Sequence, residues 1–151
     1  MSELTPPESM TSFKCVRPEF KRGKRVITLA RTDRLWAGVQ YVKEGGENNL
    51  HSHTYMDGVY FVIKGRVRFY GDNDVVLGEA GANEGFVISR GYRYWFESCG
   101  DEMLELLLVQ CFDRSMASEK EVDDDRVDHV AKKESQLGGD TYAHTNSSSQ
   151  G

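Results

Sequence analysis

Two histidines separated by one residue, His51 and His53, are the side chains in this sequence that point most directly to chemistry. In a β-strand, residues two apart project from the same face, so both imidazoles can aim at one position. Two converging imidazoles can hold two coordination positions of a divalent metal, or they can act as a proton-transfer pair. The pair therefore predicts a functional site, with both kinds of chemistry open.

The residues that must position these histidines form short β-type runs. Seven runs rich in Val, Ile, Phe, Tyr and Trp are separated by turns that contain Gly, Asn and Asp. The predicted strands span residues 25–30, 35–43, 59–64, 66–71, 85–89, 92–98 and 103–112. Because no convincing amphipathic helix precedes residue 114, this spacing predicts an all-β sandwich or closed barrel of antiparallel strands.

The two ends of the 151-residue chain differ from its centre. Residues 1–12 are polar and contain two prolines, which predicts a flexible N-terminus. Residues 113–151 hold few apolar side chains, so we expect a largely disordered polar tail with at most a weak helix near residues 118–134. Residues 13–112 are therefore expected to carry one domain with one site.

Composition restricts the class of partner. Most of the net charge of −5 lies in the C-terminal tail, which leaves a body without the basic face that nucleic-acid binding requires. No run reaches the roughly 18 apolar residues of a membrane span, and the first residues lack the features of a secretory signal. Three widely spaced cysteines fit a reducing compartment. We therefore expect a soluble, cytoplasmic protein that binds a small molecule, not nucleic acid or membrane.

The window around the histidines resembles the first sequence motif of the cupin superfamily. That motif runs glycine, five residues, histidine, one residue, histidine, three or four residues, glutamate, six residues, glycine. Gly45, His51, His53 and Gly65 match it in type and spacing. The resemblance covers about residues 25–112 and implies a small single-domain cupin, an all-β jelly-roll barrel. Similar small cupins commonly pair as homodimers.

The second cupin motif is recognisable only in outline, over residues 83–98. Cupins with a complete centre bind metal through two histidines and a glutamate of the first motif and a histidine of the second. Here the glutamate position falls on Gly58 and the second-motif histidine on Tyr94. The resemblance implies a divalent metal (Fe, Mn, Ni or Zn) on the two histidines, with Tyr94 or Asp57 as a third ligand, or a site that works without metal. No organic cofactor is expected.

Several aromatic and polar side chains are expected beside the histidines. Tyr55 shares the strand parity of His53, and the cupin pattern turns Tyr60 and Tyr94 inward. A phenol in an apolar barrel can donate a proton or stabilise an oxyanion while a histidine accepts a proton. Strand alternation adds a tryptophan, a glutamine and a phenylalanine to the same wall. We assign catalysis to His51, His53, Tyr94 and Tyr55, and substrate binding to Tyr60, Trp36, Gln40 and Phe96.

These residues support three hypotheses about function. The first is an enzyme of dehydratase, isomerase or cyclase type that moves protons on a carbonyl- or hydroxyl-bearing metabolite, with a histidine as base and Tyr94 as acid. The second is a metal-dependent oxygenase or lyase that uses His51 and His53. The third is a non-catalytic barrel that binds a metabolite, because a fold does not fix a function. Proton transfer leads, because the two histidines are kept where two other ligands are missing.

Overall fold

Strands make up almost all the regular structure of the residues that the computed structural model describes, which are 4–44, 46–47 and 49–113. The strands are β1 (Lys24–Arg31), β2 (Leu35–Val42), β3 (Met56–Lys64), β4 (Val67–Tyr70), β5 (Val76–Ala80), β6 (Gly85–Ile88), β7 (Trp95–Ser98) and β8 (Leu104–Phe112). A single-turn 3-10 helix, Asp72–Asp74, separates β4 from β5. Within the described ranges, no helix is long and apolar enough to cross a membrane.

The strands form two antiparallel sheets. One has five strands in the order β1-β2-β8-β3-β6, and the other has three in the order β5-β4-β7. Each sheet contributes to one shared apolar core, which makes the fold a jelly-roll barrel. The predicted all-β, single-barrel architecture is therefore confirmed.

Strand β3 shows why the sequence folds this way. Its inward residues, Gly58, Tyr60 and Val62, are buried, while Val59 and Phe61 between them are exposed. This period of two buries one face of the strand in the barrel and leaves the other outside. The register continues the pattern, because Tyr60 lies opposite Leu108 of β8 and Gly58 lies opposite Gln110. The histidine segment precedes β3 and is not part of it; His51 and His53 have the opposite parity to the inward residues of β3, and the irregular residues 52–55 separate the two.

Aromatic rings fill the barrel. Phe69 of β4 pairs in register with Phe96 of β7, and their ring centroids lie 5.2 Å apart. Tyr60 reaches both from the opposite sheet, at 5.2 Å from Phe69 and 6.0 Å from Phe96. These ring contacts make this part of the interior a packed core.

Two glycines allow close backbone approaches at the two ends of β6. Gly91, after the end of β6, has φ +82°, a left-handed conformation that residues other than glycine rarely adopt, and its N–H donates to the carbonyl of His53 at 2.7 Å. This hydrogen bond holds the β6–β7 connection against the histidine segment. At Gly85, the first residue of β6, a Cβ would lie 1.9 Å from the Tyr60 carbonyl oxygen, so only glycine permits β6 to pair with β3 there.

The predicted strands agree with the observed ones except around β5 and β7. Strand β5 was missed, because its residues follow a turn sequence and include Gly78. The predicted strand 92–98 is shorter in the structure and begins at Trp95, because the left-handed turn at Gly91 and a bridge at Tyr94 precede it. The expected tail helix near residues 118–134 lies outside the described residues.

The N-terminal segment, residues 4–23, forms no strand but contacts the five-stranded sheet. The N–H of Thr5 donates to the carbonyl of Arg31 at 2.7 Å. Arg17 forms an ion pair with Glu105 of β8 at 2.7 Å, and the Cys15 thiol hydrogen-bonds the Tyr41 hydroxyl at 3.1 Å. This segment therefore lies along the outer side of β1, β2 and β8.

Candidate functional site

The two sequence motifs meet in an isolated antiparallel bridge between His51 and Tyr94. The N–H of His51 donates to the carbonyl of Tyr94 at 3.1 Å, and the N–H of Tyr94 returns a hydrogen bond to the His51 carbonyl at 2.9 Å. A two-way bridge of this kind fixes both backbones, so the side chains of both segments converge at the end of the barrel. The bridge brings together residues that are 43 positions apart in the sequence.

The two imidazoles lie side by side. Their ring centroids are 4.9 Å apart, with an angle of 76° between the ring planes. The Nδ1 of His51 donates a hydrogen bond to the carbonyl oxygen of Asn49 at 2.6 Å, because a carbonyl can only accept. A backbone partner of this kind fixes the ring orientation and the proton position of a histidine. The Nδ1 of His51 is therefore occupied by a hydrogen bond to the backbone.

His53 is buried at its Nδ1 and held in the neutral form. Its Nδ1 is buried and has no hydrogen-bond partner among the described residues. Burial lowers the pKa of its imidazole from 6.5 to about 4, because a low-dielectric environment disfavours the charged form. The ring is therefore neutral at pH 7 and has a nitrogen available to accept a proton or a hydrogen bond.

Two buried phenols lie beside the histidines. The ring of Tyr94 lies 4.5 Å from that of His51 and 5.8 Å from that of Tyr60. The hydroxyls of Tyr60 and Tyr94 are joined by a hydrogen bond in which one phenol donates to the other. Such a pair can present one O–H to a substrate while the second phenol stabilises the developing charge.

A small cavity of about 10 Å³ lies next to these groups. Its lining comprises His53, Met56, Gly58, Tyr60, Ile88, Ser89, Tyr92, Tyr94 and Gln110. The volume is close to the minimum that a water molecule needs. The carbonyl oxygen of the Gln110 side chain is buried here and, like the Nδ1 of His53, has no hydrogen-bond partner in the part of the chain that the structure describes. The cavity can therefore hold one water or one small polar group of a ligand.

Some of the predicted site residues do not line this cavity. Tyr55 is buried and packs against Phe112, with ring centroids 6.1 Å apart. Trp36, Gln40 and Phe96 are buried inside the barrel, as alternation predicted. None of the three lines the cavity, although Trp36 lies opposite the cavity-lining Gln110 in the pairing of β2 with β8. Four predicted residues, His53, Tyr60, Tyr94 and the neighbouring His51, are brought together.

The candidate third ligand Asp57 faces away from the histidines. Its carboxylate accepts the N–H of Arg90 at 2.9 Å and pairs with the Arg90 guanidinium at 3.4 Å on the exposed side of β3. The pairing of Asp57 with Cys111 is regular, so no bulge turns its side chain inward. The side chain of Asp57 therefore points outward, because Asp57 occupies an outward-facing position of a regular strand.

A metal centre of the complete cupin type does not fit these side chains. Among the described residues, no three His, Cys, Asp or Glu side chains are grouped to hold an ion. The donors at the site are two imidazoles and the Tyr94 phenol, whose hydroxyl is already hydrogen-bonded to Tyr60. A divalent metal is normally held by more ligands than two imidazoles. We therefore derive no chemical step through a metal.

Sequence reasoning missed Gln110 as a site residue. In β8 the inward positions are Leu104, Leu106, Leu108 and Gln110, so a single amide ends a row of leucines. A polar residue at an inward strand position requires a partner, and this signal is visible in the sequence. Tyr92 and Ser89 were also missed, because they lie on a turn whose path depends on the tertiary contacts of Gly91.

Comparison with solved structures identifies the class of fold. The chain is similar to the cupin domain of Cnp3 from Schizosaccharomyces pombe, with 16% identity, a TM-score of 0.56, and coverage of 64% of this chain and 69% of that one. An RmlC-like cupin with a double-stranded β-helix fold from Methanocaldococcus jannaschii gives 12% identity, a TM-score of 0.59, and coverage of 72% and 96%. A cupin superfamily protein from Desulfitobacterium hafniense gives 14% identity, a TM-score of 0.57, and coverage of 70% of this chain and 99% of that one.

The protein therefore has the cupin fold, which confirms the resemblance seen in its first motif. At identities this low, the likeness concerns the fold and not the activity. No family model matches the sequence, and neither does any curated protein. The function must therefore be argued from the site.

Proposed function

We propose that this small cupin is an enzyme that transfers protons on a carbonyl- or hydroxyl-bearing metabolite, of the dehydratase, isomerase or cyclase type. One observation carries the proposal: the unpartnered nitrogen of a neutral His53 and the Tyr60–Tyr94 phenol pair border the same cavity. A base and an acid on either side of one small space are what proton transfer to and from a substrate requires.

The reaction follows from this arrangement. A substrate carbonyl oxygen in the cavity accepts a hydrogen bond from a phenol while His53 removes a proton from the adjacent carbon. The electrons of that C–H bond form the carbon–carbon double bond of an enolate, whose oxygen the phenol stabilises. In the isomerisation of a β,γ-unsaturated carbonyl compound, the enolate is a dienolate, and the imidazolium returns the proton to its γ-carbon. In the dehydration of a β-hydroxy carbonyl compound, the imidazolium donates the proton to the β-hydroxyl, which leaves as water while the enolate electrons form the Cα–Cβ double bond and restore the carbonyl.

Two further side chains have positioning roles. His51, tethered to Asn49, packs its ring against Tyr94 and fixes the phenol. The side-chain carbonyl of Gln110 can accept a hydrogen bond from a substrate hydroxyl. Both groups act through geometry, since neither exchanges a proton with the substrate.

The experiment is exchange of carbon-bound protons in D₂O, followed by NMR on a panel of small ketones and hydroxy acids. We expect His53→Gln and Tyr94→Phe to lower the exchange rate by roughly a hundredfold or more, the usual contribution of a general base or acid. Tyr70→Phe is the matched control, because the Tyr70 hydroxyl bonds to Glu97 outside the cavity. Equal rates in wild type and both site variants would overturn the mechanism.

The metal question is tested with the same protein. We expect preparations made without chelator to hold well under one equivalent of Fe, Mn, Ni or Zn by elemental analysis. Activity should survive EDTA, because the proposed base and acid are side chains. A stoichiometric metal whose removal abolishes exchange would replace this proposal with the metal-dependent lyase or oxygenase hypothesis.

We also propose that the protein works as a homodimer in a reducing, cytoplasmic setting. The outer face of β3 and β6 exposes four apolar side chains: Val59 at 47%, Phe61 at 38%, Ile63 at 44% and Val87 at 75%. Val59 and Val87 are paired in register, so these side chains are contiguous, and contiguous exposed apolar patches favour association. Cys15, Cys99 and Cys111 are unpaired, which suits a compartment that keeps thiols reduced.

A further inference from the structure

A second, larger space adjoins the catalytic cavity. It is a groove of about 330 Å³ lined by Phe69, Leu77, Phe86, Val87, Ile88, Ser89 and Tyr92. The groove lies between β5 and β6, which are the edge strands of the two sheets. Its volume falls in the usual range for small-molecule sites, whereas the cavity beside His53 has room for only one small group.

The groove and the cavity share three of their lining residues. Ile88, Ser89 and Tyr92 border both spaces. These residues belong to the end of β6 and to the turn that follows, which is closed by a hydrogen bond from the N–H of Tyr92 to the carbonyl of Ser89. A ligand in the groove therefore contacts residues that also line the cavity beside His53.

The groove lining is neutral and almost wholly apolar. Ser89 contributes its only hydroxyl apart from that of Tyr92, and no charged side chain lines it. Leu77 and Tyr92 are 38% and 51% exposed, so they form an open rim. Arg93 and Asp72 lie in an adjoining recess, where they pair with each other at 3.1 Å. A neutral apolar group matches this lining, because a charged group would lose hydration without gaining a partner.

We propose that this groove binds the apolar part of the substrate, an aryl or branched alkyl group attached to the carbonyl that reaches His53. The proposal rests on the proposed proton-transfer function and adds the substrate class to it. A short polar carbonyl compound would place its carbonyl group in the cavity but leave the groove empty. An aryl ketone fills both, with its ring against Phe86 and Leu77 and its carbonyl toward the phenol pair.

The test uses two ketones on the full chain. Acetophenone carries a ring and acetone does not, and binding is followed through the backbone amide signals of Phe86, Ser89 and Tyr92. We expect acetophenone to shift these signals at concentrations at least tenfold below those that acetone requires. Exchange of the acetophenone methyl protons in D₂O is recorded in the same samples.

Two variants on one strand provide the control. Leu77→Glu places a charge on the rim and should weaken acetophenone binding at least tenfold, while acetone is unaffected. Val76→Glu changes the preceding residue, which is also exposed but does not line the groove, and should leave binding unchanged. Tyr92→Ala removes a second rim side chain and should also weaken binding, so the test does not depend on one variant.

Each outcome separates the two proposals. The groove proposal is overturned if acetophenone does not shift the amide signals of the groove residues. It is also overturned if Leu77→Glu and Val76→Glu have the same effect on acetophenone binding. Either result counts against the groove even where acetone exchanges its protons. If acetophenone binds in the groove but is not exchanged, while other carbonyl compounds are not exchanged either, the proton-transfer function fails. Groove signals that respond to protein dilution and not to the ketone would assign the groove to a second copy of the chain and overturn its role in substrate binding.

Discussion

The buried imidazole of His53 makes the stability of the fold depend on pH in a defined window. In the folded protein, burial holds its pKa at about 4, compared with 6.5 for an exposed histidine. As the pH falls below 6.5, the unfolded chain takes up a proton while the folded chain stays neutral until about pH 4. Stability therefore rises with pH between these values and is unaffected by this group above them.

The size of the effect follows from the gap between the two pKa values. A gap from 6.5 to about 4 corresponds to roughly 3 kcal/mol of unfolding free energy when it is fully expressed. His53 is partly exposed, and solvent screening reduces the expected loss to about 2 kcal/mol. His53→Gln removes the titrating group and should remove this part of the pH dependence.

Urea denaturation of wild type and His53→Gln, with EDTA present, measures the effect at several pH values from 4 to 7.5. Carboxylates titrate in both proteins, so the difference between the two stabilities isolates the imidazole. We expect that difference to shift in favour of the variant by about 2 kcal/mol as the pH falls from 7 to 4. A difference that stays constant across this range would refute the argument that burial keeps His53 neutral.

Three further predictions follow from the packing. Gln110→Leu should raise the unfolding free energy by about 1 kcal/mol in urea denaturation, because it removes a buried oxygen without a partner; a loss would show that the oxygen is satisfied. Gly58→Ala should be tolerated, since a Cβ there meets its nearest atom, on Leu108, at 3.5 Å. Gly58→Glu should cost about 1–3 kcal/mol, because the cavity of about 10 Å³ cannot hold the longer side chain; equal stabilities of the two variants would contradict this. If the protein forms the proposed homodimer through the outer face of β3 and β6, Val59→Glu should convert it to a monomer in light scattering; an unchanged mass would exclude this face as the interface.

The sequence predicts the architecture well, because alternation is a local property. The exposed Val59 and the buried Tyr60 and Val62 can be read from β3 without knowledge of its neighbours. Strand β5 was not predicted, because its pairing with β4 contains an irregularity between Phe69 and Tyr70. An irregularity of this kind breaks the alternation of inward and outward side chains from which a strand is predicted. Edge strands of this kind are recognised from their partners, and the partners are fixed only by the fold.

The candidate site was predictable only in part, for a different reason. The type and spacing of His51 and His53 can be read from one short segment of sequence, and the inward amide of Gln110 can be read from β8. The volume of the cavity beside these residues cannot be read from one segment, because it depends on aromatic rings of β3, β4 and β7 whose centroids lie about 5 to 6 Å apart. A sequence states which side chains point inward but not how completely they fill the space.

The packing of aromatic rings in the barrel interior affects the chemistry that the site beside His53 can perform. An open barrel with two histidines would admit a whole metabolite and several waters, and water would compete for every hydrogen bond. Here about 10 Å³ is left beside the Nδ1 of His53, which has no hydrogen-bond partner among the described residues, so in the proposed reaction the substrate carbonyl would displace the one water that fits. Excluding bulk water strengthens the hydrogen bond from the phenol to a developing oxyanion. The loss of two ligand positions to Gly58 and Tyr94 is therefore consistent with a site that activates its substrate through a phenol.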